Sequence, residues 1–287
     1  MHRRAVEDRY SKAPLMQASR QQLIEIVNNQ CDAIHSLKAT VDIDASAGGI
    51  KKGEITDYKE IRGYILARKP GELHMVGLMP LVRTTAFDMV SNGTEFKLWI
   101  PPKNRFVIGE ENVPTPSSDK PMENIRPRNI YDALLIQCID PETELAVLDD
   151  NGYEVFHDAK GHRILQPDYE LIIISIGKNP RLSRKVVFGR ADLNPHRQYI
   201  YGADGKLVSD SAYAEYKDYD GVSYPSLIEI NLPQEEYEFT FHMLKVEINQ
   251  PLTQAQFTLD QPPGAEVIHL DRPQSSLVEQ RDMPLAR

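Results

Sequence analysis

Residues 37–46 read LKATVDIDAS, and this stretch decides the class of fold. Apolar and polar residues alternate along it, which is the two-residue period of a β-strand that buries one face and exposes the other. The apolar positions are Ala39, Val41, Ile43 and Ala45. The stretch therefore predicts a strand with one dry face and one wet face.

Similar strand patterns follow along the chain. After the glycine-rich residues 48–53, strands are predicted at 54–67, 72–78, 85–90, 95–100 and 105–109. Asn92-Gly93 between two of them is typical of a tight hairpin, so neighbouring strands should be antiparallel. A second group of strands is predicted at 152–158, 168–178, 184–192, 197–202, 206–216, 224–231 and 236–248.

Two segments have helical spacing instead. Ser19 followed by Gln22 resembles a capping box and begins an apolar stripe. Pro127 begins a second stripe that extends through Leu134 to Cys138. The order of elements predicts a mainly β protein of the α+β class, in which two helices are free to cover the inner face of a large curved antiparallel sheet.

Length alone would allow one domain or two, so the count rests on the pattern of strands and helices. That pattern predicts one domain, residues 19–271, between a flexible N-terminal segment, 1–18, and a flexible C-terminal tail, 272–287. The hydrophobic content of 41% can form a core without help from disulfides or metal. The 42 acidic residues outnumber the 33 basic ones, giving a formal charge of -9 that disfavours binding to nucleic acid.

The chain contains two cysteines, Cys31 and Cys138. Their spacing is unlike that of a zinc knuckle. Both lie in apolar, helix-like segments, so the sequence favours two buried free thiols. The alternative is a helix-to-helix disulfide, which would imply an oxidising compartment.

Recognisable catalytic or metal-binding motifs are absent from the sequence, including the G-x-S-x-G elbow, the P-loop and H-E-x-x-H. The closest histidines, His157 and His162, flank a hydrophilic turn, and His157 with Asp158 would lack a third metal ligand. We therefore expect a protein that is not an enzyme, with no catalytic residues, no metal and no cofactor.

Three segments of the chain resemble motifs of a known family and occur in the same order as in that family. They are GYILARKP at 63–70, SNGTEFKLWIP at 91–101 and FTLDQPPG at 257–264. They resemble a strand ending in a basic residue and proline, an S-[DN]-G hairpin, and a closing F-x-F-x-P-P-x-G segment. These features are similar to those of the LolA and LolB superfamily of lipoprotein carriers and outer-membrane lipoprotein receptors, and the resemblance is best over residues 20–110.

The resemblance implies a half-open β-barrel covered by helices. It also implies that this barrel encloses an apolar cavity that binds the acyl chains of lipoproteins or other lipids, for lipoprotein transport to the outer membrane or reception there. Strand alternation selects the residues expected to face this cavity. They are Val41, Ile43, Ile65, Met75, Phe87, Met89, Phe96 and Leu98. Ordinary core packing would give the same alternation, so core and cavity stay open as alternatives for each residue.

The resemblance also suggests two peripheral sites. In the carrier, an arginine before the strand-ending proline helps to hold a lid closed. Arg68 and Lys69 are the corresponding candidates here, although lysine lacks the planar fork of arginine. Residues 79–85, MPLVRTT, resemble a receptor loop with a membrane-inserting leucine, which makes Leu78, Met79 and Leu81 insertion candidates. A packed hairpin turn is the alternative for this loop.

The expected location depends on how the chain begins. Residues 1–20 lack the apolar region of a signal peptide. The protein would be periplasmic or anchored at the outer membrane if an export signal was removed, and cytoplasmic if Met1 is the natural start. We expect a monomer with peripheral membrane contact. Two other functions stay open, an envelope sensor or protein-interaction domain on the same fold, and an unrecognised hydrolase.

Overall fold

The computed structural model describes residues 9–49, 53–112, 125–157 and 161–270. In chain order the elements are β1 (Arg9–Tyr10), α1 (Arg20–Ala33), β2 (Ser36–Gly49), β3 (Glu54–Arg68), β4 (Glu72–Leu78), β5 (Thr85–Ser91), β6 (Glu95–Ile100), β7 (Arg105–Glu110), α2 (Pro127–Leu134), β8 (Glu144–Asp149), β9 (Tyr153–His157), β10 (Arg163–Ser175), β11 (Arg181–Gly189), β12 (Pro195–Tyr201), β13 (Leu207–Tyr219), β14 (Val222–Leu232), β15 (Tyr237–Ile248) and β16 (Glu266–His269). Short 3-10 helices follow β6 and β15. The predicted mainly β class with two helices is confirmed.

The chain divides into two compact units. The first unit contains residues 1–34 and 135–234, and the second contains residues 35–134 and 235–287. The predicted boundaries of a single domain stay a prediction. The same holds for the terminal segments, because residues 1–8 and the whole predicted tail lie outside the described residues. Within the described part of the chain, no helix is long and apolar enough to cross a membrane.

The first unit packs α1 on a sheet of the order β1-β10-β11-β12-β13-β14, with β8 and β9 also paired to β10. The predicted capping box begins α1. The Ser19 backbone N–H donates to Gln22 Oε1 at 2.8 Å, and the Gln22 backbone N–H donates to Ser19 Oγ at 3.3 Å. Leu23, Val27 and Cys31 form the buried face of α1.

A disulfide bond joins Cys31 to Cys138 in the first unit, so the prediction of two free thiols is wrong. The prediction of a helical Cys138 is also wrong, because α2 ends at Leu134. Residues 135–140 belong to neither a helix nor a strand. The Asn28 side chain bonds both backbone groups of Ile139, and Arg184 donates to the carbonyl oxygen of Cys138 at 2.7 Å. These bonds replace those that a longer helix would have made.

The second unit contains a sheet of the order β15-β2-β3-β4-β5-β6-β7-β16. Its neighbours are antiparallel except for β7 and β16, which run parallel. The hairpin predicted at Asn92-Gly93 joins β5 to β6, where the Asn92 side chain accepts from the backbone N–H groups of Thr94 and Glu95. Helix α2 packs against β4 and β5.

The predicted strands agree best with β4 and β6, whose bounds match residue for residue. Strand β8 was not predicted. Its large apolar residues Leu145 and Val147 lie on an exposed face, and the small Ala146 is buried. Because this reverses the usual relation between side-chain size and burial, alternation did not identify the strand.

Candidate functional site

A cavity of about 340 Å³ lies within the second unit. Its walls come from strands β2, β3, β4, β5, β6 and β15, toward one end of the antiparallel sheet. We call this the loop end, because the β4–β5 and β6–β7 connections lie there. The lining residues are Ile43, Ala45, Tyr58, Ile61, Met75, Met79, Pro80, Ala86, Phe87, Met89, Leu98, Ile100, Pro102, Lys103, Ile125, Ile130, Tyr237 and Phe239.

The sheet of this unit must curve to form the cavity. Strands β15 and β6 are five positions apart in the sheet, yet both contribute to one wall. In a flat sheet they would be roughly 24 Å apart, at ~4.8 Å per strand. Within the described residues, strands β15 and β16 do not pair with each other, so this sheet does not close on itself.

Of the eight predicted cavity residues, five line the cavity: Ile43, Met75, Phe87, Met89 and Leu98. Val41, Ile65 and Phe96 do not, and they are fully buried in the core beyond the cavity. These three lie farther from the loop end than the lining residues of the same strands. Alternation indicates on which face of a strand a residue lies. It does not indicate how far along the strand the cavity extends, so it could not separate the five lining residues from the three core residues. Ligand binding by any of them stays a prediction.

Glycine makes room for one wall of the cavity. Gly77 of β4 pairs with Phe87 of β5. A Cβ atom at Gly77 would overlap the ring of Phe87. The ring therefore lies directly over the backbone of β4, where it lines the cavity.

Sequence reasoning missed the contribution of β15. Tyr237 and Phe239 line the cavity, and their rings stack with centroids 5.7 Å apart. The alternation in YEFTF at 237–241 marks one apolar face of a strand. It does not indicate that β15 pairs with β2, which lies about two hundred residues earlier in the chain.

Helix α2 covers part of the cavity and contributes Ile130 to its wall. The buried carboxylate of Glu111 holds the start of this helix by accepting from the backbone N–H of Arg128 at 3.1 Å. The same carboxylate accepts from the hydroxyl of Ser91 on β5 at 2.5 Å. Burial raises the pKa of Glu111 despite these hydrogen bonds. Glu111 thus joins α2 to the sheet and caps its otherwise unsatisfied N-terminus.

The two lid candidates lie beside the C-terminal segment. The Arg68 guanidinium donates to Glu72 at 2.6 Å, to the Leu252 carbonyl oxygen at 2.6 Å and to Gln254 at 2.8 Å. It also stacks over the ring of Phe257 at 4.8 Å. The backbone N–H of Lys69 donates to the His35 carbonyl oxygen. These contacts anchor residues 252–257 to the sheet, and a role for Arg68 or Lys69 in holding a lid stays a prediction.

The β4–β5 loop has two faces. Met79 and Pro80 line the cavity, whereas Leu81 is 100% exposed and Val82 is 67% exposed. The loop closes through the backbone N–H of Met79, which donates to the Thr84 carbonyl oxygen, and that of Arg83, which donates to the Met79 carbonyl oxygen. Leu78 belongs to β4 and is half-buried. The loop therefore exposes the apolar side chains of Leu81 and Val82 next to two residues that line the cavity.

One group of potential metal ligands occurs among the described residues. Cys31, Asp32 and Cys138 are close enough to hold an ion, but both sulfur atoms belong to the disulfide and are not thiolate ligands. His157 is exposed on β9, and Asp158 lies outside the described residues.

Comparison with known proteins adds evidence on the fold. No protein-family model matches the chain, and no curated protein matches it. Similar solved structures include a LolA superfamily protein from Nitrosomonas europaea, at 13% identity and a TM-score of 0.48, covering 85% of this chain and 99% of that one. An outer membrane lipoprotein-sorting protein domain from Vibrio parahaemolyticus matches at 14% identity and a TM-score of 0.48, covering 83% and 97%.

A DUF1329 family protein from Desulfovibrio piger matches at 10% identity with a TM-score of 0.51, covering 84% of this chain and 98% of that one. This likeness shows a shared fold and nothing about activity. The sequence motifs predicted similarity to the LolA superfamily, and proteins of that superfamily are among the matching structures.

Proposed function

We propose that the chain binds an acyl chain of a lipoprotein, or of another lipid, in the cavity of its second unit without catalysing a reaction. The observation that carries this proposal is the cavity itself, about 340 Å³ in volume and lined almost entirely by apolar side chains. That volume lies within the range of small-molecule sites, roughly 300 to 1,000 Å³. Each methylene moved from water into such a site contributes about 0.8 kcal/mol.

We further propose a role in lipoprotein transport or reception in the periplasm or at the outer membrane. The similar domain from Vibrio parahaemolyticus is described as lipoprotein-sorting, which supports this assignment at the level of likeness. The Cys31–Cys138 disulfide supports it independently, because disulfides persist in the periplasm and are rare in a reducing cytosol.

The β4–β5 loop supports peripheral contact with a membrane. Leu81 and Val82 are exposed apolar side chains in the same loop as Met79 and Pro80, which line the cavity. Shallow insertion depends on apolar area and does not need a basic surface, so it is compatible with the formal charge of -9.

Filling the cavity tests the proposal. Ala86 is a half-buried cavity residue, and Ala86→Phe should weaken binding of an N-palmitoylated peptide at least tenfold in fluorescence anisotropy, because the ring occupies the ligand's space. Ala212 is half-buried on β13 of the first unit, so Ala212→Phe is the matched control and should bind like wild type. Wild-type protein that fails to bind the palmitoylated peptide and yields no lipid on extraction would overturn the proposal.

A protein-interaction role on the same fold is the second candidate, and an apolar surface of the first unit favours it. Leu145, Val147 and Ile176 are exposed there. Exposed apolar patches often mark protein contacts. Normal palmitoyl-peptide binding by Ala86→Phe, together with a partner recovered through this surface, would favour the second candidate.

A further inference from the structure

One row of side chains bounds the cavity on the side away from the loop end. Met75 of β4 pairs with Met89 of β5, and Met89 pairs with Leu98 of β6. All three residues line the cavity, and each is at most 3% exposed. Because paired residues on neighbouring strands project from the same face of a sheet, their side chains lie next to one another across the three strands. We call Met75, Met89 and Leu98 the floor of the cavity.

The row beyond the floor belongs to the filled core. On the same face, the next residues away from the loop end are Leu73, Ser91 and Phe96, which pair with one another in the same way. Each is at most 2% exposed, and none of them lines the cavity. A close-packed core has no room for a ligand, so a chain that extends inward from the loop end has to stop at the floor.

The lining residues at the loop end are exposed instead. Four of them belong to the β4–β5 loop and the β6–β7 connection, and they are Met79, Pro80, Pro102 and Lys103. Exposure of the lining therefore falls from the loop end to the floor. A ligand with a polar head and a hydrocarbon tail would keep its head at the loop end, because burying an unpaired polar group costs free energy. Its tail would extend toward the floor.

The volume of the cavity limits how much of a tail it can hold. A methylene group occupies about as much space as a water molecule in the liquid, ~30 Å³. A cavity of about 340 Å³ therefore holds about eleven methylene groups. That amount corresponds to one hydrocarbon chain of medium length, and a second chain beside it would exceed the space.

We infer that the cavity holds a single acyl tail over a length of about eleven carbon atoms, with the terminal methyl group against the floor, and that Met89 sets this length. The inference rests on the proposed function and deepens it, because it names the number and the length of the chains bound. Met89 is the central residue of the floor and has a floor residue on each side. Its unbranched thioether fills irregular space and brings no polar group that needs a partner.

The first test varies the length of the acyl chain. Binding of a fluorescent peptide that is N-acylated with an octanoyl, decanoyl, lauroyl, myristoyl or palmitoyl group is measured by fluorescence anisotropy. For wild type, the affinity should rise by up to about fourfold per methylene group from octanoyl to lauroyl, as expected for burial of each group. From lauroyl to palmitoyl it should change by less than about threefold, because the added carbon atoms stay outside the cavity.

The second test moves the floor. Met89→Ala removes the outer part of the side chain, so the rise in affinity should continue beyond lauroyl. We expect the variant to bind the myristoyl peptide about tenfold more tightly than the lauroyl peptide, whereas wild type binds the two nearly equally. Met75→Ala shortens another floor residue and should change this ratio in the same direction. The ratio is the readout, since a general loss of stability would weaken binding of both peptides alike.

Met243→Ala is the matched control. Met243 lies on β15 of the same unit, is 6% exposed and does not line the cavity. The control removes the same atoms from the core, so its ratio of myristoyl to lauroyl affinity should equal that of wild type. An equal increase of the ratio in Met243→Ala and Met89→Ala would overturn the assignment of the floor, because that pattern indicates a general loosening of the core.

The outcomes separate the inference from the proposed function. A wild-type affinity that keeps rising at the same rate from lauroyl to palmitoyl would overturn the inference, although the chain would still bind lipid. An unchanged ratio in Met89→Ala and Met75→Ala, with folded spectra like that of wild type, would also overturn it. Failure of wild type to bind any of the acylated peptides would contradict the proposed function itself.

Discussion

Asp168 is a buried polar group whose environment leaves it incompletely paired. It lies on β10 of the first unit, is 6% exposed, and its Oδ1 atom has no hydrogen-bond partner among the described residues. Burial raises the pKa of Asp168 to about 6, and the charges of Glu170, Glu154 and Asp149 add to the effect. Folding therefore favours the protonated form of this carboxyl group.

The pH dependence of stability should reveal Asp168. A carboxyl group whose folded pKa is raised stabilises the fold fully below its unfolded pKa of about 4, and this contribution is lost as pH rises through about 6. Asp168→Asn mimics the protonated form. We expect the variant to be more stable than wild type at pH 7.5, by up to about 3 kcal/mol, and to show no gain at pH 4.

Urea unfolding followed by circular dichroism at both pH values measures this difference. Asp150→Asn is the control, because Asp150 is exposed in the neighbouring turn and should give no such gain. A variant at Asp168 that is less stable than wild type at pH 7.5 would contradict the prediction.

At the scale of single elements, side chains in the second unit hold α2 and the segment after β15 against the sheet. The carboxylate of Glu111 holds α2 against β5, and Arg68 holds the segment after β15 beside β4. The β4–β5 loop has no comparable anchor at its tip. Leu81 adopts a positive φ of 67° there, which turns its side chain out of the loop.

Leu81→Glu should weaken binding to phosphatidylcholine vesicles without changing the folded spectrum. The substitution removes a fully exposed apolar side chain and adds a charge that resists insertion. Glutamate has the same backbone preferences as leucine at a positive φ, so the loop should keep its shape. Vesicle co-sedimentation measures the loss, which we expect to be at least threefold.

Leu244→Glu provides the control for this prediction, because Leu244 is also exposed in the second unit but lies within β15. The membrane role of the loop is wrong if both variants bind vesicles as wild type does.

At the scale of the whole molecule, the two units rely on different stabilising features. The second unit packs its core behind an open cavity, whereas the first contains a disulfide that joins residues 107 positions apart. A cross-link over such a span restricts the unfolded chain strongly, and removing a native disulfide typically costs about 2–5 kcal/mol.

Replacing both cysteines, as Cys31→Ala with Cys138→Ala, should lower the free energy of unfolding by an amount in that range, measured by urea denaturation. Dithiothreitol should bring wild type to the stability of the double variant and leave the variant itself unchanged. Insensitivity of wild type to the reductant, with the thiols shown to be free, would contradict the disulfide.

The sequence by itself determined the local elements, because their signals lie within a few neighbouring residues. Alternation gave β2 to β7, the Ser19–Gln22 box gave the start of α1, and Asn92-Gly93 gave a hairpin. Five of eight predicted wall residues also line the cavity, since alternation determines which face of a strand is buried.

Only the tertiary structure decided which buried residues line the cavity and which lie in the filled core. Val41 and Ile43 have the same pattern in the sequence, yet one lies in the filled core and the other in the cavity wall. The curvature of the sheet and the position of α2 make that difference, and both depend on contacts between residues far apart in the chain. For the same reason, the sequence did not identify Tyr237 as a cavity residue and did not favour the disulfide between Cys31 and Cys138. Both features depend on residues that are far apart in the chain, and no local pattern specifies such contacts.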